Sequence, residues 1–207
     1  MIRRLAVFFA VLGSACAPRT PPDPPRLDAL ELTSAIEDHV LVLGTRDAAE
    51  PRLDVHGLSL DRTSEPTAGF VAADGSFLLE VPGLEGDVLR IQTEEAGLRS
   101  APLDVIAGFG RPEAWTPALP CLRAPSAIDL ATGSTIEIAN DCQEAVSLSL
   151  ALRAPAPVEL ARADATLPPG DTIDVELTPT GGPLDAVVLV TVTSPVADRR
   201  AVSVLAR

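Results

Sequence analysis

The sequence predicts an all-β protein: two tandem β-sandwiches behind an N-terminal signal peptide and a Pro-rich linker. Three observations predict it. Apolar side chains alternate with polar ones in short runs over most of the chain, which is the period of a half-buried strand. Turn residues punctuate those runs, with 20 Pro and 14 Gly among 207 residues. A composition break then divides the runs into two groups, because residues 108–120 (GFGRPEAWTPALP) hold three Pro, two Gly and the only Trp. Closely spaced short strands separated by turn signals are the pattern of sandwiches. Hydrophobic residues make up 46% and aromatics only 3%, so the cores are aliphatic.

The chain opens with Arg3 and Arg4, an apolar run from Leu5 to Leu12, and the small residues Gly13-Ser14-Ala15 before Cys16. A charged start, a short apolar core and small residues are the parts of a secretory signal. Cleavage after Ala17 would place Pro18 beside the scissile bond, where it lacks an N–H and restricts its neighbour. Leu12-Gly13-Ser14-Ala15-Cys16 resembles the lipobox of bacterial lipoproteins, with Gly13 where the family usually carries Leu. The resemblance implies that Cys16 is the lipid attachment residue and that residues 1–15 are removed. Plain secretion without lipid is the alternative. Two or more acyl chains anchor stably where one does not. The expectation is therefore an exported protein held on the bacterial outer membrane.

Residues 16–27 carry the lipidated Cys and a Pro-rich tether. Five Pro within APRTPPDPPR favour extended polyproline II, roughly 30 Å long at ~3.1 Å per residue. The tether reads as a spacer. No apolar run approaches the roughly 20 residues of a membrane-spanning helix. The net charge is −13 and every basic residue is Arg. Such a chain offers no basic footprint for nucleic acid. Loss of residues 1–15 removes Arg3, Arg4 and no acid, which makes the remainder more anionic still.

Residues 28–107 form the first expected sandwich. His39–Leu43 ends at Gly44, Leu53 and Val55 alternate with Asp54 and His56, and Ser76–Val81 ends at Pro82-Gly83. Leu89, Ile91 and Thr93 alternate with Val88, Arg90 and Gln92. Asp74-Gly75, between Phe70-Val71 and Phe77, predicts a β-hairpin. Leu27–Ile36 fits a helical turn as well as a strand. Leu43-Gly44-Thr45, Glu50-Pro51, Asp74-Gly75-Ser76-Phe77, Val81-Pro82 and Gly86-Asp87 together resemble bacterial immunoglobulin-like and carboxypeptidase-regulatory-like modules. That resemblance implies an immunoglobulin-like fold. It implies no single function, since such modules serve as spacers, adhesive units and appendages to enzymes.

Residues 108–120 read as a linker, with Trp115 either packing between the sandwiches or marking a partner contact. Residues 121–207 form the second expected sandwich. Ile136 and Ile138, then Val146, Leu148, Leu150 and Leu152, then Ile173, Val175 and Leu177 each alternate with polar or small residues. Ala186–Thr193 (AVVLVTVT) reads as a strand buried on both faces. Asn140-Asp141, Leu167-Pro168-Pro169-Gly170, Thr178-Pro179 and Ser194-Pro195 resemble the immunoglobulin-like modules that share the fold of major sperm protein. That resemblance implies a binding or scaffolding module with no catalytic residues to carry over. Once Cys16 is set aside, Cys121 and Cys142 are an even pair in an exported domain and are expected to form a disulfide.

Motifs for chemistry are sparse. His39 and His56 lie on separate strands and match no zinc or HExxH spacing. Gly57-Leu58-Ser59-Leu60-Asp61 begins like a nucleophile elbow but ends in Asp61, and no helix pattern follows. The pairs Glu37-Asp38 and Glu94-Glu95 are strand neighbours facing opposite ways, so neither serves as an acid–base pair. Asp74 and Asp87 are turn residues that could join a calcium site at one end of the first sandwich. The expectation is no catalytic residue, no metal and no cofactor. The protein is expected to be a non-catalytic envelope lipoprotein whose partners are the membrane, through its anchor, and an envelope protein or glycan. A small-ligand or glycan-binding, adhesin-like module is the alternative.

Overall fold

The computed structural model describes residues 20–33, 37–153, 157–181 and 184–206; Cys16 and the signal segment lie outside them. The fold is all-β. A 3-10 turn at Leu27–Ala29 precedes β1 (Leu30–Leu32), so the ambiguous start holds a helical turn and then a strand. The first sandwich continues through β2 (His39–Gly44), β3 (Asp54–Ser59), β4 (Thr67–Phe70) and β5 (Phe77–Pro82). It ends with β6 (Val88–Glu95), β7 (Leu98–Arg99), β8 (Leu103–Ile106) and β9 (Glu113–Ala114). One sheet has the order β1-β2-β5 and the other β4-β3-β6-β8-β9, with β7 paired to β6. Leu30, Val40, Val42, Val55, Leu79, Val81, Leu89, Ile91 and Val105 fill the space between them.

Asp74-Gly75 makes a tight turn, but not the expected hairpin. Ala72 N–H donates to Ser76 O at 2.8 Å and Asp74 caps the Ser76 N–H at 3.1 Å. The flanking strands then part: β4 pairs with β3, and β5 pairs with β2 in the opposite sheet. Both flanks carry apolar residues for one core, yet they approach it from opposite layers. Gly75 sits at φ +79°, and a Cβ there would lie 2.7 Å from the Ala49 carbonyl oxygen.

The tether does not run free over its second half. Pro22 and Pro25 are buried, three residues apart, which is the polyproline II repeat. The Thr93 hydroxyl donates to Asp23 O at 2.7 Å, and Arg26 N–H donates to Ala48 O at 2.8 Å. The spacer expected from composition is therefore shortened, because its apolar prolines find a face on the sandwich.

The second sandwich opens with β10 (Leu122–Arg123), β11 (Ala127–Asp129), β12 (Thr135–Asn140), β13 (Val146–Leu152) and β14 (Val158–Leu160). It continues with β15 (Asp164–Leu167), β16 (Thr172–Pro179), β17 (Leu184–Ser194) and β18 (Asp198–Ala206). Its sheets have the orders β10-β12-β16-β14 and β11-β18-β17-β13-β15. Alternation holds closely on β12, β13 and β16, whose Ile136, Ile138, Leu148, Leu150, Val175 and Leu177 face the core. On β17, Ala186, Val188, Val190 and Val192 face that core, while Val187 and Leu189 are buried on the opposite face.

Candidate functional site: the junction of the two sandwiches

Strand alternation leaves one face of each middle sheet without a core of its own. On the first sandwich that face carries Leu58, Leu60, Val88, Arg90 and Gln92. On the second it carries Val187, Leu189, Ala201 and Ser203. The two faces meet. Leu58, Leu60 and Val88 pack with Val187, Leu189 and Ala201 in one buried cluster, and Trp115 packs half-buried against its edge. Both faces of β6 are thus covered, although its alternation suggested one core face and one solvent face.

A buried arginine fastens this junction. Arg90 is 5% exposed. Its Nε and Nη2 donate to the two carboxylate oxygens of Asp104 at 2.8 Å each, a bidentate geometry. Its Nη1 crosses to the second sandwich and donates to Ala201 O at 2.7 Å. Beside it, Ser203 Oγ donates to Gln92 Oε1 at 3.3 Å, and Gln92 Nε2 donates to Ser100 O at 2.9 Å. At the rim, Arg199 pairs with Asp61, and its guanidinium lies 5.9 Å from the centre of the Trp115 ring.

The segment expected to be a linker is held along its length. Gly110 exchanges N–H···O bonds with Leu32 at 2.7 and 2.8 Å, and Glu113–Ala114 forms β9 against β8. Ala118 and Leu119 N–H donate to the Asp198 carboxylate at 3.1 and 2.8 Å. Arg200 bridges Asp198 at 2.6 Å and also donates to Leu119 O. Burial by itself would raise the Asp198 carboxyl. Arg200 and the backbone N–H groups of Leu119, Arg199 and Ala118 outweigh it and hold the group below the usual Asp value. Cys121 and Cys142 form a disulfide, and Asp141 N–H donates to Cys121 O at 3.0 Å. The end of the segment is therefore tied to β12 covalently and through the β10–β12 pairing.

The remaining candidate residues have structural employment. His39 Nδ1 lies 3.0 Å from Glu37 O, and His56 Nε2 lies 3.3 Å from Glu94 Oε2. Asp74 binds the hydroxyl of Ser76 at 2.6 Å, which, with the Ser76 N–H, holds its carboxyl below the usual value. Asp87 accepts from Arg62 at 2.6 Å and from Leu84 N–H at 2.8 Å. Ser59, at the centre of the elbow-like sequence, is buried, and its Oγ accepts from Asp61 N–H at 3.3 Å. Cys16 lies outside the described residues.

Sequence reasoning missed Arg90, Arg153 and Arg199. A signal for the junction was present: an antiparallel strand that is apolar on both faces, such as Ala186–Thr193, needs a second layer beyond its own core.

Arg153, Arg199, Trp115, Leu189, Asp61 and Asp198 line a cleft of about 360 Å³ at the mouth of the junction. Burial lowers the Arg153 and Arg199 guanidinium pKa values below the ordinary one. Asp61 and Asp198 are both engaged: Asp61 takes Arg199 and the Val88 N–H at 2.6 Å, and Asp198 takes Arg200 and the two N–H groups named above.

No protein-family model matches the chain, and no curated protein matches it. Among solved structures it is similar to the native conformation of E. coli alpha-2-macroglobulin, at 15% identity and a TM-score of 0.28. That overlay covers 86% of this chain, which spans 16% of the macroglobulin chain. It is also similar to the FN1-FN3 domains of chicken CNTN1, at 10% identity and a TM-score of 0.26, covering 90% of this chain and 68% of that one. Both overlays are loose, and the all-β fold stands on the strand pairing described above.

Proposed function

We propose that this chain is a non-catalytic, lipid-anchored protein of the bacterial envelope whose two β-sandwiches act as one stiff block that binds or spaces other envelope components. The observation that carries the reading is the junction: an apolar cluster, a buried bidentate arginine and a clamped connector hold the sandwiches face to face. A chain built to flex between modules leaves such faces polar. Of the polar groups considered for chemistry, Asp74 serves a turn, Asp87 an ion pair and Asp61 the rim of the junction.

Anchoring rests on the lipobox-like Leu12–Cys16. With the tether docked from Pro22 onward, residues 17–21 would set the reach from the lipid, about 15 Å when extended at ~3.1 Å per residue. The block would then sit close to the membrane, and its charge of −13 or below would orient it away from anionic headgroups. Cys16→Ser tests the anchor. The expected result is release into the soluble fraction or retention of the uncleaved signal. Normal processing and continued membrane association of Cys16→Ser would overturn it. Crosslinking in the native envelope then identifies the component the block touches.

A further inference from the structure

Arg153 is the exception among the half-buried and buried arginines of the described residues. Arg62 has Asp87, Arg90 has Asp104, Arg99 has Glu94, Arg199 has Asp61 and Arg200 has Asp198. Arg153 has no such acid. Its Nε is fully buried and meets no acceptor. Its backbone is fixed, since Arg153 N–H donates to Val187 O at 2.9 Å, which places the residue at the end of β13 on the outer face of its sheet.

That side chain lines the junction cleft, where the charges otherwise cancel. Asp61 neutralises Arg199, and Arg200 neutralises Asp198. The cleft therefore keeps one positive charge, on Arg153, within a chain of net charge −13. An acid-rich sequence had many carboxylates with which to pair it. Beside the guanidinium stand the Trp115 ring and Leu189, which offer an apolar wall. The rest of the lining is mixed, with Thr116 and Thr191 beside the paired charges, and small-molecule sites of roughly this size favour domain junctions.

We propose that this cleft binds a small organic carboxylate. The carboxylate takes the terminal Nη groups of the Arg153 guanidinium, and the apolar part of the ligand lies along Trp115 and Leu189. A guanidinium fork matches a carboxylate with two parallel N–H···O bonds, which a neutral amide cannot reproduce. The inference stands whether or not Cys16 is acylated.

The test is titration calorimetry on the full chain, with quenching of Trp115 fluorescence as a second readout. The probes are N-acetylphenylalanine, its carboxamide, glucuronate and inorganic phosphate. N-acetylphenylalanine is expected to bind and to quench Trp115, and the carboxamide to bind about tenfold or more weakly, the worth of a charge-assisted hydrogen bond. Arg153→Gln should lose a similar factor with an unchanged melting temperature, and Arg153→Lys should retain part of the affinity. Glucuronate binding with the same dependence on Arg153 would support the site and make sugar acids its source. Equal binding of acid and carboxamide overturns the proposal without any variant. So do phosphate binding as well as the carboxylates, full affinity in Arg153→Gln, or no binding of either carboxylate at millimolar concentration.

Discussion

Arg90→Met is the perturbation that probes the junction most sharply. Methionine keeps the apolar stem of the arginine and removes its donors. Four bonds go: the two to Asp104 and the two that cross the junction, to Ala201 O and, at 3.4 Å, to Ser203 Oγ. The Asp104 side chain is only 15% exposed, so its carboxylate is left largely dry without a counter-charge. Removing one partner of a buried pair costs about 3–5 kcal/mol. Some escape of Asp104 toward water places the expected loss near the lower end, about 3 kcal/mol. The assay is urea unfolding followed by Trp115 fluorescence, a local reporter because Trp115 N–H donates to Asp104 O at 2.9 Å. Replacing both partners, as Arg90→Met with Asp104→Leu, should recover much of the loss, since an apolar pair of similar volume is often as stable as a buried ion pair. A cost below about 1 kcal/mol for Arg90→Met, the level of an exposed pair, would refute the claim that this arginine is buried between two layers.

Other outcomes follow from the same geometry. Reduction of Cys121–Cys142, which spans a sequence separation of 21, should lower stability by roughly 3 kcal/mol in the loop-entropy estimate, measured by paired denaturations with and without reductant. Asp198 has a folded pKa below its unfolded one, so its stabilising contribution is complete above the ordinary Asp value of about 4 and is lost as pH falls through the folded value. Thermal melts from pH 6 to pH 2 should show this acid loss, and Asp198→Asn, weaker at neutral pH, should show less of it. Gly75→Ala should cost about 1–3 kcal/mol, because it places a side chain at φ +79° and against the Ala49 carbonyl; an unchanged melting temperature contradicts that reading.

Much of the fold was legible because aliphatic alternation is a local signal. Ile136/Ile138, Leu148/Leu150 and Val175/Leu177 face the second core as their period demands. The Cys121–Cys142 bridge was legible from the even count left once Cys16 is set aside, given the expectation of export. What alternation cannot state is which layer a strand joins. Asp74-Gly75 looked like a hairpin because turn chemistry is local, while the pairing of β4 with β3 and β5 with β2 is decided by the whole core. The tether's docking was hidden because composition gives the polyproline conformation but not the surface that receives Pro22 and Pro25. The polar candidates at the junction were hidden for a related reason. Arg90 and Gln92 occupy positions that face water in an isolated sandwich, and only a second sandwich buries them.

The central claim is that the two sandwiches are stacked face to face as one body. Nitroxide labels at Glu80→Cys and Glu176→Cys, exposed positions on the two outermost sheets, test it most directly in the Cys16→Ser chain with the native disulfide intact. Pulsed electron–electron resonance should give one narrow distance distribution, retained after Pro22 and Pro25 are replaced by Ser. It should broaden in Leu189→Asp, which places a charge in the apolar cluster of the junction. A broad distribution in the parent chain, unchanged by Leu189→Asp, would mean two modules that move independently and would contradict the account.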